Sequence, residues 1–93
     1  MTSSHDILTT AAQIVAGDRN ATHGDKTASF QAIASVWSAY LQARKTPDGA
    51  IRPHDVAHMM VLLKQQRAEW GAAVADHFID AAGYSAIAGE LSL

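Results

Sequence analysis

VAHMMVLLKQQRAEW, residues 56–70, places Val56, Met59, Met60, Leu63 and Trp70 at the i, i+3, i+4, i+7 rhythm of a helix that buries one face. At about 100° per residue, Arg67 falls within roughly 20° of the centre of that stripe, and Lys64 falls near its edge. A cation on an apolar face is costly unless it is paired and hydrogen-bonded. A carboxylate from a neighbouring helix, an anionic ligand, or both are therefore expected to answer Arg67.

The flanking segments read as three more helices. The first covers about 4–16, with Ser3 or Ser4 as its cap, Asp6 complementing its dipole, and Ile7, Leu8, Ala11, Ile14 and Val15 as its apolar face. Gly17 ends it, and GDRNATHGD, residues 17–25, is a loop of turn formers. The second helix begins at Asp25 or Thr27 and runs to about Arg44, with Phe30, Ile33, Ala34, Trp37 and Leu41 in a stripe and Tyr40 beside it. In the connector TPDGAIR, residues 46–52, Pro47, Asp48 and Gly49 are expected to supply a restricted φ and a positive-φ residue. Pro53 opens the third helix, with Asp55 near the positive end of its dipole, and Gly71 follows its last residue, Trp70. The last helix, about 74–89, is rich in Ala and carries Phe78, Ile79, Tyr84 and Ile87 around most of its circumference. All-round apolarity implies burial on more than one side, and in a chain this short a second subunit supplies that most simply. The expectation is an all-α, four-helix bundle-like single domain over residues 1–93, assembled as a homo-oligomer.

With 93 residues, 48% of them hydrophobic, the chain has room for one core. A net charge of −2 argues against a dedicated duplex nucleic-acid binder. There is no cysteine, so disulfides, zinc fingers and thiol catalysis are excluded. The N-terminal run MTSSHDILTTAAQIVAG lacks the pattern of a signal peptide, and no window approaches ~18 apolar residues. A soluble, cytoplasmic protein with no membrane partner is expected.

Several constellations are candidates for chemistry. Asp76 and Asp80 stand one helical turn apart, so their carboxylates share a face and repel unless a cation joins them. That cation is Mg²⁺, or Lys64 or Arg67 in an interhelical cluster, or the pair instead receives donors from a ligand's ribose or base. Arg19, His23 and Lys26, with Gly17 and Gly24, make the first interhelical loop an anion candidate, although Asp18 and Asp25 offset its charge. His54 and His58 are spaced i, i+4 without a third ligand, and are expected to be an exposed pair. His54-Asp55 also reads as the HD dipeptide of metal phosphohydrolases, in a chain short for that fold. Trp37, Tyr40, Trp70 and Tyr84 fit core positions, with Tyr84 or Tyr40 placed to stack on a base. No Ser-His-Asp order, GxSxG, Walker loop or dinucleotide fingerprint is present.

Taken together, GDRNATHGD, the FxxIAxxWxxYL of residues 30–41, DVAHMMVLLKQQR of 55–67 and DHFIDAAGYSAIAGE of 76–90 resemble a family of small phage and prophage proteins of uncharacterised function. That family's loop reads R-x-x-x-Y-G-D, and here it runs from Arg19 to His23-Gly24-Asp25, with His in place of Tyr. Its D-x-x-x-D-x-x-G-Y motif corresponds to Asp76, Asp80, Gly83 and Tyr84. The resemblance implies that Arg19, Gly24, Asp25, Lys64, Arg67, Asp76 and Asp80 belong to one site. The last helix also looks distantly like MazG-type nucleotide pyrophosphohydrolases, but those carry an E-x-x-E pair where the second helix here, residues 28–44, has no carboxylate.

The leading expectation is a protein that binds a phosphorylated nucleotide through Arg19, His23, Gly24, Lys26, Lys64, Arg67 and Tyr84, with Asp76 and Asp80 as metal or polar ligands. Sequestration of a nucleotide signal would be one use. The alternatives are a Mg²⁺-dependent nucleotide pyrophosphohydrolase and a structural or partner-inhibiting oligomer.

Overall fold

A computed structural model describes residues 2–17 and 25–93, and within them the chain is entirely helical, with no strand. In chain order the helices are α1 (Ser4–Ala16), α2 (Lys26–Ala43), α3 (Pro53–Trp70) and α4 (Ala75–Ser92). Local chemistry sets most of their ends. Ser3 Oγ accepts from the Asp6 amide while Asp6 Oδ2 accepts from the Ser3 amide, a reciprocal capping box at α1. Asp25 caps α2 through the Ala28 amide. Pro53 occupies the first turn of α3, where its missing N–H costs nothing. The last helix continues three residues beyond the expected stop at Gly89. A helical glycine costs only about 1 kcal/mol, and Ser92 Oγ adds a bond to the Ala88 carbonyl.

Among the described residues, packing involves three of the four helices. α3 lies against both α2 and α4, and its contact with α4 is the larger. α1 packs on none of the others, and all of its residues are exposed. The bundle within one chain is thus α2–α3–α4, with α1 standing apart. The radius of gyration, 15.5 Å, exceeds the roughly 12 Å of a compact chain of this length. The core is correspondingly small: Ile33, Ala57, Leu63 and Ala88. Small residues at 57 and 88 let helix axes approach closely. Periodicity overstated the covered faces, because Phe30, Ala34, Val56 and Trp70 lie on the expected stripes and are exposed. Their stripes run past the edges of the neighbouring helix. Trp37 does reach inward, and its Nε1 donates to the Met59 carbonyl at 2.6 Å, tying α2 to α3.

One buried ion pair closes the α2–α3 corner. Asp55 is fully buried, and Arg44 Nη1 donates to its Oδ2 at 3.1 Å. Arg44 also donates from Nε to Leu41 O, from Nη1 to Ala50 O, and from Nη2 to the carbonyls of Pro47 and Gly49. All five guanidinium N–H groups are thereby used. Gly49 does not adopt the expected positive φ; a Cβ there would lie 3.1 Å from Thr46 O, a tight contact that glycine avoids. Asp55 further accepts from the Arg52 amide at 2.8 Å, from Arg52 Nε and from the Tyr40 hydroxyl at 2.7 Å. The Arg52 amide, the Tyr40 hydroxyl and the two guanidinium groups hold its carboxyl well below the usual range, against the opposing effect of burial.

Arg44→Ala should lower the thermal unfolding midpoint by at least about 10 °C. A buried charge that loses its partner costs several kcal/mol, and a domain this size shifts about 4–8 °C per kcal/mol. The depressed pKa of Asp55 contributes stability that is complete above the ordinary carboxylate value near 4 and lost as pH falls below it. Midpoints measured from pH 7 to pH 2 should therefore drop on acidification, with a flatter acid limb in Asp55→Asn. An identical acid limb in that variant would assign acid unfolding to other carboxylates.

Candidate functional site

The residues singled out on α3 and α4 converge in part. Asp80 and Tyr84 are one turn apart on α4 and line a cleft of about 360 Å³ together with Ile79, Gly83 and Ile87. Lys64 reaches across from α3, with its Nζ 3.0 Å from Asp80 Oδ2. The Lys64 side chain is 15% exposed and that of Asp80 46%. The ammonium is therefore set into the helix interface, whereas the carboxylate faces water. Arg67 lies one turn beyond Lys64 and is half-buried, as its place on the α3 stripe implies. Asp76 is exposed in the first turn of α4, on the side of Asp80. Tyr84 is half-buried.

Other candidates are not brought to this cleft. Lys26 is exposed in the first turn of α2, which packs on α3 and not on α4. Arg19, His23 and Gly24 lie outside the described residues. Trp70 is 48% exposed and does not serve as a core residue within this chain. Among the described residues no group of three or more His, Asp or Glu side chains converges to hold a metal ion.

A second cleft, also about 360 Å³, opens at the α2–α3 corner and is lined by Tyr40, Lys45, Arg52, His54 and His58 beside the Arg44–Asp55 pair. The two histidines, expected to be exposed, meet edge to face at 6.2 Å, and His58 lies 5.6 Å from the Tyr40 ring. His54 is half-buried, its Nε2 3.7 Å from Asp55 Oδ1. The Asp of the HD dipeptide is thus committed to the α2–α3 corner, and no further His, Asp or Glu joins it into a metal-binding group among the described residues. Asp55 is engaged by four donors, three on Oδ2 from Arg44 and Arg52 and one on Oδ1 from the Tyr40 hydroxyl. Tyr40 is committed as well: burial and its bond to Asp55 raise its pKa. This cluster went unread in the sequence, although an acid three residues after a helix cap and an Arg at the preceding helix end were both visible.

Residues 6–92 match the family described as "Domain of unknown function (DUF6378)". The chain is 36% identical over 87 residues to the Gene 55 protein of Mycobacterium phage L5, covering 94% of this chain and 53% of that protein. It is 34% identical over 82 residues to the Gene 55 protein of Mycobacterium phage D29, covering 88% of this chain and 50% of that one. The chain thus spans about half the length of the curated relatives it matches. No solved structure matches it.

If the Lys64–Asp80 pair serves a ligand and not the fold, breaking it should leave stability nearly intact. Asp80→Asn is expected to change the unfolding free energy by less than about 1 kcal/mol in urea titrations, the range of solvent-facing ion pairs. A loss of several kcal/mol would assign the pair to the scaffold.

Proposed function

We propose that this chain, which belongs to the DUF6378 family, binds a phosphorylated nucleotide at the α4 cleft of Asp80 and Tyr84, beside Lys64 of α3. The observation that carries this reading is the placement of a half-exposed carboxylate, Asp80, and a tyrosine ring, Tyr84, in one cleft of about 360 Å³, with the recessed ammonium of Lys64 paired to Asp80. Tyr84 offers a stacking face for the base. Asp80 accepts from a ribose hydroxyl or a base amine, and Asp76 extends that acidic edge. Lys64 and Arg67 supply positive charge for phosphate oxygens. The exchange of Lys64 from Asp80 to phosphate is cheap, because a solvent-facing ion pair contributes little in the free protein. Lys26 stands in the first turn of α2, away from this cleft, and Arg19 and Gly24 enter the reading through the R-x-x-x-Y-G-D motif, in which His23 replaces the tyrosine. A pyrophosphohydrolase would use Asp76 and Asp80 for Mg²⁺. Binding is favoured because no third acidic or histidine side chain joins them among the described residues. With phage relatives, capture of a nucleotide signal is a use consistent with binding alone.

We further propose that the working unit is a homo-oligomer. The described chain leaves large apolar side chains exposed on every helix, among them Leu8 at 69%, Phe30 at 59%, Val56 at 52% and Ile79 at 64%. Large apolar side chains left exposed in this number on a small domain are what association with a second copy would cover.

A melting-temperature screen of the protein against mono-, di-, tri- and cyclic nucleotides, with and without Mg²⁺, tests the binding reading. A ligand at a hundred times its Kd stabilises by about 2.7 kcal/mol, a shift of roughly 10 °C or more for a domain this small. The responding nucleotide should lose its effect in Lys64→Ala and Tyr84→Ala. No shift with any nucleotide would overturn the assignment, and release of pyrophosphate from triphosphates would replace binding by catalysis.

A further inference from the structure

The cleft at the α2–α3 corner carries more positive charge than the fold uses. Its lining holds three of the chain's seven Lys and Arg residues, Arg44, Lys45 and Arg52, and one of its nine acids, Asp55. The whole chain has a net charge of −2, so this gathering runs against its overall sign. Asp55 offsets a single charge, and the buried Arg44 spends its other donors on four backbone carbonyls. Arg52 touches the same carboxylate through Nε alone, at 3.3 Å. Its side chain is 52% exposed, and among the described residues its Nη groups make no hydrogen bond. Lys45 is exposed, and among the described residues its ammonium enters no hydrogen bond or ion pair.

A solvated cation by itself needs no ligand. These two differ by their concave setting of about 360 Å³, because a cleft lined by charge of one sign focuses its potential inward. The cleft also holds donors of a second kind. His54 and His58 stand on consecutive turns of α3 with their rings edge to face at 6.2 Å, and an imidazole keeps at least one N–H in either protonation state. Tyr40 and Ser92 complete the walls without donating into the cleft, since their hydroxyl protons go to Asp55 and to the Ala88 carbonyl. The groups left to meet a ligand are thus one ammonium, one guanidinium edge and two imidazoles.

We infer that the α2–α3 corner is a second ligand site, which takes a phosphate group on Lys45 and Arg52, with His54 and His58 donating from α3. A phosphate carries close to two negative charges at neutral pH, which matches the two cations left over. Its terminal oxygens accept from several directions, as donors arriving from two helices require, and Arg52 offers its Nη edge to two of them. The site is separate from the cleft of Asp80 and Tyr84, with which it shares no lining residue. Its volume lies in the range of small-molecule clefts and exceeds the needs of a phosphate alone. The phosphate is either free or borne by a small organic body set against the Tyr40 and His58 rings, which lie 5.6 Å apart.

Proton NMR of the histidine rings provides the test, in a 9.9 kDa chain with five histidines. The full chain is titrated with inorganic phosphate and, separately, with phenyl phosphate, at constant pH and at an ionic strength held constant with chloride. The signals missing from His54→Gln and His58→Gln identify the pair. Both signals are expected to shift saturably, while those of the other histidines stay in place. Lys45→Gln should weaken binding about tenfold, the loss of one charge-assisted hydrogen bond, and Lys64→Gln should leave it unchanged. Lys45 holds nothing else in the fold among the described residues, so its replacement is read without a change in folding. Tighter binding of phenyl phosphate assigns a phosphate borne on an organic body, and equal affinity assigns free phosphate. No saturable shift of the pair with either probe overturns the site, and so does equal binding by Lys45→Gln. A response lost in Lys64→Gln and kept in Lys45→Gln returns the phosphate to the α4 cleft and also overturns it. The nucleotide melting screen is scored on Lys64 and Tyr84, so its failure leaves these outcomes unchanged.

Discussion

The Arg44 guanidinium joins three parts of the molecule that otherwise have no reason to stay together. It stands at the end of α2, where helical carbonyls lack partners, and satisfies the Leu41 carbonyl there. It draws in the carbonyls of the following turn at Pro47, Gly49 and Ala50, so the loop backbone is hydrogen-bonded without a strand. Its remaining donor goes to Asp55 in the first turn of α3. Tyr40 and Arg52 complete the shell around that carboxylate. The corner therefore sets the angle at which α3 leaves α2, and α3 is the helix on which α4 rests.

The two principal ion pairs of the chain differ in depth, and depth separates their roles. Asp55 is sealed from water with three donors on Oδ2 and the Tyr40 hydroxyl on Oδ1, so its charge belongs to the fold. Asp80 meets one lysine and is nearly half exposed, so its partner can change at small cost. An exposed carboxylate beside a recessed ammonium and a tyrosine ring presents mixed polarity at the edge of an apolar groove. In the proposed reading, that combination receives a ligand with a ring at one end and phosphate at the other.

A chain of this length buries little of itself, and its helices keep apolar surface that three-helix packing does not reach. The division is uneven. α3 contributes to both packed interfaces, α2 and α4 to one each, and α1 to none. Sequence periodicity gave no warning of this, since the α1 stripe is as regular as the α3 stripe.

Much of the architecture was legible residue by residue. Ser3 with Asp6, Asp25, Pro53 and the glycines at 17 and 71 mark helix ends through local hydrogen bonds and φ preferences, which depend only on near neighbours in the chain. The i, i+4 spacing of Asp76 and Asp80, and of Asp80 and Tyr84, is likewise a property of one helix. Which faces meet is another matter. Phe30, Val56 and Trp70 satisfy the helical period and remain exposed, because coverage depends on where a second helix crosses. Asp55 read as a dipole-complementing acid and became the buried centre of the corner, because Tyr40 and Arg44 arrive from 15 and 11 residues away. The pairing of Lys64 with Asp80 had the same character: the sequence made it one of several options. Sequence alone determined the four helices of the described residues, their ends and their apolar faces, since these follow from interactions within about one turn. Tertiary structure alone decided which charge is buried, which is free to change partner and which apolar face stays open, since burial is set by segments distant in the chain.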